Sequence, residues 1–204
     1  MVTLRSLIVT VALVAVVGLS ACSTTGSSTS QTSPAAPAAS GASAAATTNP
    51  YGSPPPVDPP GPHDSVMKVL GGTNGTKDYT LSQLEAVGTL QTVTIFEPFR
   101  KTQETFKAIA LKDLLDAAGI SDNQYIDTLA LNNYKYDDLA GNLSRSDALI
   151  ATQVDGGPIP IDQGGPIRLI FKDGTPESTN LDAWNWSLTQ ISVISSPTPT
   201  PAAS

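Results

Sequence analysis

Hydrophobic positions fall into three regimes along this chain. Leu7 to Leu19 is an apolar run, with Thr10 its one polar residue, behind the positive residue Arg5. From Ser23 to Pro62 the chain is Ser, Thr, Ala, Pro and Gly with almost no large apolar side chain. From Asp64 to Ile194 apolar residues return at the spacings of strands and helices, and Ser195 to Ser204 is again Pro- and Thr-rich.

Within the third regime, Val66 to Leu70 reads as a first strand closed by Gly71-Gly72. Thr80-Leu81-Ser82-Gln83 has capping-box spacing, in which a Thr hydroxyl accepts from a backbone N–H three residues on. It predicts a short helix through Val87. Thr92 to Phe96 alternates and is β-branched, hence a strand. Leu111, Leu114, Leu115 and Ala118 recur at helical spacing, with Gly119 where a left-handed cap belongs. Tyr125 to Leu131, Asp147 to Val154 and Ile167 to Phe171 read as strands. Asp155-Gly156-Gly157 is a turn into Pro158 to Ile161, and Trp184 to Ile194 is read as one long closing strand. Many strands with two or three helices, not in strict alternation, predict an α+β domain with a single mixed-sheet core.

The apolar start changes meaning when its end is read. It is shorter than the about 20 residues of a membrane-spanning helix, and small residues follow it as at an export cleavage site. Leu19-Ser20-Ala21-Cys22 matches the bacterial lipobox, and Cys22 is the only cysteine. The expected division is a lipoprotein signal over 1–21, a lipidated disordered linker over 22–63, the domain over 64–194 and a disordered tail over 195–204. Two acyl chains on Cys22 would anchor the chain stably, so the expected location is extracytoplasmic, on a membrane. The tail reads as a disordered end or as a glycosylated, wall-threading segment.

Charge and chemistry then narrow the options. The chain carries net charge −7 and no basic run, which argues against a nucleic-acid partner. The domain has no cysteine or histidine, since His63 stands at the linker boundary. That excludes a Cys nucleophile, a Ser-His-Asp triad, a thiolate metal site and disulfides.

Leu149-Ile150-Ala151-Thr152-Gln153-Val154-Asp155-Gly156-Gly157-Pro158-Ile159-Pro160, followed by Gly164-Gly165-Pro166-Ile167-Arg168-Leu169-Ile170, resembles a recurring pattern. It is similar to the oxidoreductase molybdopterin-binding family, which has the sulfite-oxidase-like fold. Leu111 to Ile120, Ala130 to Tyr134 and Trp184 to Val193 resemble further segments of that family, so the likeness spans about Asp64 to Ile194. The resemblance implies molybdopterin as cofactor and an oxidoreductase activity. It also implies, for active members, a metal-binding cysteine after the strand matching Thr92 to Phe96, and Glu97 falls near that position here. A carboxylate is a hard oxygen ligand and does not reproduce a soft thiolate. Gln163 replaces the family's histidine, and its lysine before the tryptophan is absent, because Ala183 and Asn185 precede Trp184 and Trp186. Arg168 matches the arginine that lies against the cofactor in the family.

The expectation is therefore a non-catalytic module without cofactor, taking a small molecule or an envelope protein in the old cleft. The candidate ligand-binding residues are Arg168, Gln163, Tyr134, Asn133, Glu97 and Arg100, with no metal ligand and no catalytic residue. The alternative is a molybdopterin enzyme whose metal is held by the dithiolene and a carboxylate, and a blander one is simple surface display. Arg168 reads equally as an ion-pair partner of a carboxylate. Trp184 and Trp186 read as core or as a ligand platform, and Asn132 and Asn133 as turn residues.

Overall fold

The computed structural model describes residues 55–197. Cys22, the signal segment, most of the linker and the end of the tail lie outside the described residues, and so do the expectations placed on them.

Two five-stranded sheets carry the domain. One runs in the order β2 (Lys77–Thr80), β1 (Ser65–Leu70), β10 (Leu188–Ile194), β5 (Tyr125–Ala130), β6 (Lys135–Leu139). Only β1 and β10 pair in parallel, so the sheet is mixed. The other runs β3 (Gln91–Glu97), β4 (Thr102–Ala110), β7 (Ala148–Val154), β8 (Gly157–Pro158), with β9 (Arg168–Phe171) also pairing β7. Helices α1 (Leu81–Glu85), α2 (Leu111–Ala118) and α3 (Ala140–Arg145) are short. The fold is α+β, as the strand-rich pattern predicts.

Local chemistry explains the element ends. The capping box at α1 is complete: Gln83 N–H donates to Thr80 Oγ1, and Thr80 N–H donates to Gln83 Oε1. The helix ends at Glu85 rather than at Val87, because Ala86 and Val87 turn back onto carbonyls of the same short helix. In α2 the stripe Leu111, Leu114, Leu115 and Ala118 is fully buried, and Gly119 closes it in the left-handed region (φ 74°). Asp155 and Gly156 both have positive φ, the geometry of a two-residue hairpin whose twist suits the flanking strands.

The closing strand is shorter than its sequence suggests. It begins at Leu188, because Ser187 adopts φ 56° and breaks the ladder. Trp184 to Trp186 instead cross to β9, where Trp186 bridges Arg168 and Leu169 N–H donates to Asn185. The pattern also left β2, β4, β6 and α3 unread. β4 begins with polar residues, Thr102-Gln103-Glu104-Thr105, and of these only Glu104 is buried, before the apolar positions Phe106, Ala108 and Ile109.

The core is continuous across both sheets and α2, with Phe106, Ile109, Leu114, Ile150, Leu169 and Trp184 inaccessible or nearly so. Truncating Leu114 to Ala should destabilise the domain by about 2–5 kcal/mol through lost contacts and a cavity. Lys112→Ala, which removes an exposed pair with Asp116, should leave stability close to that of the wild type, because solvent screens such a pair. Urea denaturation of both variants checks the contrast.

Candidate functional site

A buried charge cluster forms where the β3–β4 hairpin meets the start of β9. On β3 the alternation sends Ile95 and Glu97 inward while Phe96 stays exposed. On β4 the same alternation turns Glu104 and Phe106 inward. Arg168 opens β9 opposite Ala151 of β7 and is 1% exposed. Its Nη2 lies 2.6 Å from Glu97 Oε1, and its Nη1 lies 3.6 Å from Glu104 Oε2.

Arg100 completes the charge balance from the hairpin tip. Its Nη1 is 2.9 Å from Glu104 Oε1 and donates to Gln163 Oε1 at 2.9 Å. Its backbone N–H donates to Glu97 Oε2 at 2.5 Å, and Lys101 N–H donates to the Glu97 carbonyl. Glu97 thus serves both Arg168 and the turn itself.

Aromatic rings enclose the guanidinium. The Trp186 ring centroid is 4.1 Å from Arg168 Cζ, and Phe106 lies beyond at 5.4 Å. Such stacking attracts a cation to the ring face while excluding water. Phe99 from the hairpin tip meets Trp186 edge-on at 5.5 Å. Gly164, at φ 84°, lies under the indole; a Cβ there would come 2.8 Å from its ring. Only glycine lets Trp186 close.

Four of the sequence-identified candidates meet here: Glu97, Arg100, Gln163 and Arg168. Asn133 and Tyr134 lie on the turn between β5 and β6 in the other sheet, where Asn133 has φ 66° and the Tyr134 hydroxyl donates to the Asp182 carbonyl at 2.7 Å. Glu104, Phe99 and the covering role of Trp186 were missed. The available signal was Glu104 in phase with Phe106, two residues on, which places a carboxylate on the inward face of a strand.

Burial dominates the titration of this cluster. It raises the Glu104 carboxyl above the ordinary glutamate value of 4.5, against the pull of Arg168 and Arg100. It also lowers Arg168, against the support of Glu97 and Glu104.

The family model described as the oxidoreductase molybdopterin binding domain matches residues 64–175. The chain belongs to that family. Among solved structures, it is similar in fold to the sulfane dehydrogenase SoxCD from Paracoccus pantotrophus. The two are 12% identical with a TM-score of 0.53, over 69% of this chain and 40% of that one. No curated protein matches the chain.

The residues present do not fit the family's cofactor. Glu97 stands where the resemblance expects the metal-binding thiol, and both its oxygens are already engaged. Arg168 faces Trp186 and two carboxylates rather than an open cleft. Among the described residues there is no group of three or more His, Cys, Asp or Glu side chains placed to hold a metal ion.

Two outcomes follow from this geometry. Glu97→Ala leaves a buried cation with one distant partner and should cost about 3–5 kcal/mol, whereas replacing Glu97, Glu104 and Arg168 together by apolar residues of similar volume should cost far less. Urea denaturation of both variants distinguishes them. Glu104 has a folded-state pKa above its unfolded value, so its contribution is fully present below the unfolded pKa and is lost as pH rises through the folded one. Glu104→Gln should flatten that loss in stability measured from about pH 4 upward.

Proposed function

We propose that this member of the oxidoreductase molybdopterin-binding family is a non-catalytic binding module held outside the cell by a lipid anchor. One observation carries the non-catalytic part: the position expected to ligate the metal is a glutamate committed to a buried arginine. Releasing Glu97 for a metal would strip Arg168 of its closest partner, and a buried guanidinium left unpaired costs several kcal/mol. The scaffold keeps the family's form while its ionic cluster joins β3, β4 and β9.

The anchor is supported by the order of the first residues. A positive start, an apolar run and Leu19-Ser20-Ala21-Cys22 make an export signal ending in a lipidation site. A Ser-, Ala- and Pro-rich stretch separates that site from the domain in the sequence. A small molecule or another envelope protein is the partner class. Nothing in the charge pattern favours nucleic acid.

Expression in a host that makes molybdopterin tests both parts. Wild-type protein should fractionate with membranes, Cys22→Ser should not receive the lipid, and both should contain molybdenum and pterin far below stoichiometry. Stoichiometric molybdenum would sink the non-catalytic reading. Wild-type protein that carries no diacylglyceryl group by mass spectrometry would sink the anchor.

A further inference from the structure

A pocket of about 430 Å³ is lined by the Pro158–Ile161 stretch and Pro166, by Leu81 of α1, by Thr152 of β7 and by the spacer residues Pro59 and Pro60. Its volume falls within the roughly 300–1,000 Å³ of small-molecule sites. We propose that it binds one aliphatic chain of a free fatty acid or lipid supplied from outside this polypeptide. For that supply it rests on the membrane location given above.

The walls select hydrocarbon. Leu81, Ile159 and Ile161 have wholly aliphatic side chains. Pro158, Pro160 and Pro166 have no backbone N–H to offer. The Pro160 carbonyl is already taken, accepting from Gln163 and Gly165. Thr152 is the one lining residue with a polar side chain among the described residues, and its hydroxyl donates to Glu85 Oε1 at 2.7 Å. A peptide, sugar or nucleotide seated here would bury polar groups without partners, which is costly. No aromatic ring among the described lining residues offers a stacking face. An alkyl chain has neither need.

A second cavity of about 140 Å³ shares the wall residues Pro60, Ile161 and Pro166 with the first; it is lined further by Val57, Val66 and Leu131 and by the polar residues Asp58, Ser65 and Thr189. The spacer supplies Pro59 and Pro60 to that wall, and it is the spacer that leads back toward Cys22. The pocket therefore stands at the membrane-leading end of the domain's chain.

The test uses the full chain with Cys22→Ser, which carries no acyl group of its own, titrated with the fluorescent fatty acid cis-parinaric acid. Saturable binding of one probe per chain is expected. Competing fatty acids from octanoate to palmitate should gain roughly three- to fourfold in affinity per added methylene until the pocket is full. Ile161→Glu places a carboxylate in the apolar wall and should weaken binding at least about tenfold. Leu181→Glu, at an exposed apolar residue elsewhere, should leave it unchanged. Absence of saturable binding, no dependence on chain length in the unsubstituted pocket, or equal weakening by the two glutamates would overturn the proposal. So would uptake by Cys22→Ser but not by the lipidated wild type, since the protein's own anchor would then fill the pocket. Molybdenum in the same preparation would sink the preceding reading and leave the titration standing.

Discussion

A guanidinium with 1% of its surface exposed constrains everything around it. Arg168 cannot shed its charge as a buried lysine can, so its lost hydration must be replaced by fixed partners. Two carboxylates supply them, from adjacent strands of one hairpin. Two buried carboxylates against one cation would leave an excess negative charge, and Arg100 offsets it from the hairpin tip. The arrangement then closes on itself. The Glu97 carboxylate that meets Arg168 also accepts the backbone N–H of Arg100, which holds the turn that brings Arg100 over Glu104.

Such a network is weak evidence for stability, because desolvation offsets much of the Coulomb attraction. Its clearer effect is on specificity of structure. A one-residue slip of β3 against β4 would turn Glu97 to the opposite face and leave Arg168 without its closest partner. The aromatic cover reinforces the same choice. Trp186 reaches Arg168 only because Ser187 breaks β10 and Gly164 leaves room beneath the indole. The irregular stretch before β10 is thus a consequence of covering a charge.

The sequence was legible where one residue's local preference decided the outcome. Thr80 and Gln83 announce a helix start, Gly119 a helix end, and Asp155-Gly156 a hairpin, each through chemistry confined to a few residues. It was less legible where partners are distant. Glu104 in Thr102-Gln103-Glu104-Thr105 looks like an exposed polar residue until Arg168 arrives from β9. Trp184-Asn185-Trp186 looks like strand because alternation is local, whereas the break at Ser187 answers to Gly164 and β9. Of the candidate site, Glu97, Gln163 and Arg168, named by their place in a family pattern, came together with Arg100. Asn133 and Tyr134, named from the same family likeness, sit on a turn of the other sheet, where Tyr134 bonds Asn132 and Asp182.

The position of Glu97 sets two uses of one scaffold against each other. A thiolate bound to metal needs an open side facing the cofactor, and a nearby arginine is useful there only if it also faces that side. A carboxylate pairing with Arg168 needs the reverse: a dry, covered contact in which both groups give up solvent. Trp186 and Phe99 provide that cover, and the same cover blocks the approach to Arg168. Returning a thiol to position 97 would therefore not by itself restore the other use. It would remove the partner of a buried cation and the acceptor that holds the hairpin turn, while the indole stayed in place. Position 97 is thus coupled to a whole set of contacts, and family membership alone does not determine the chemistry that those contacts allow.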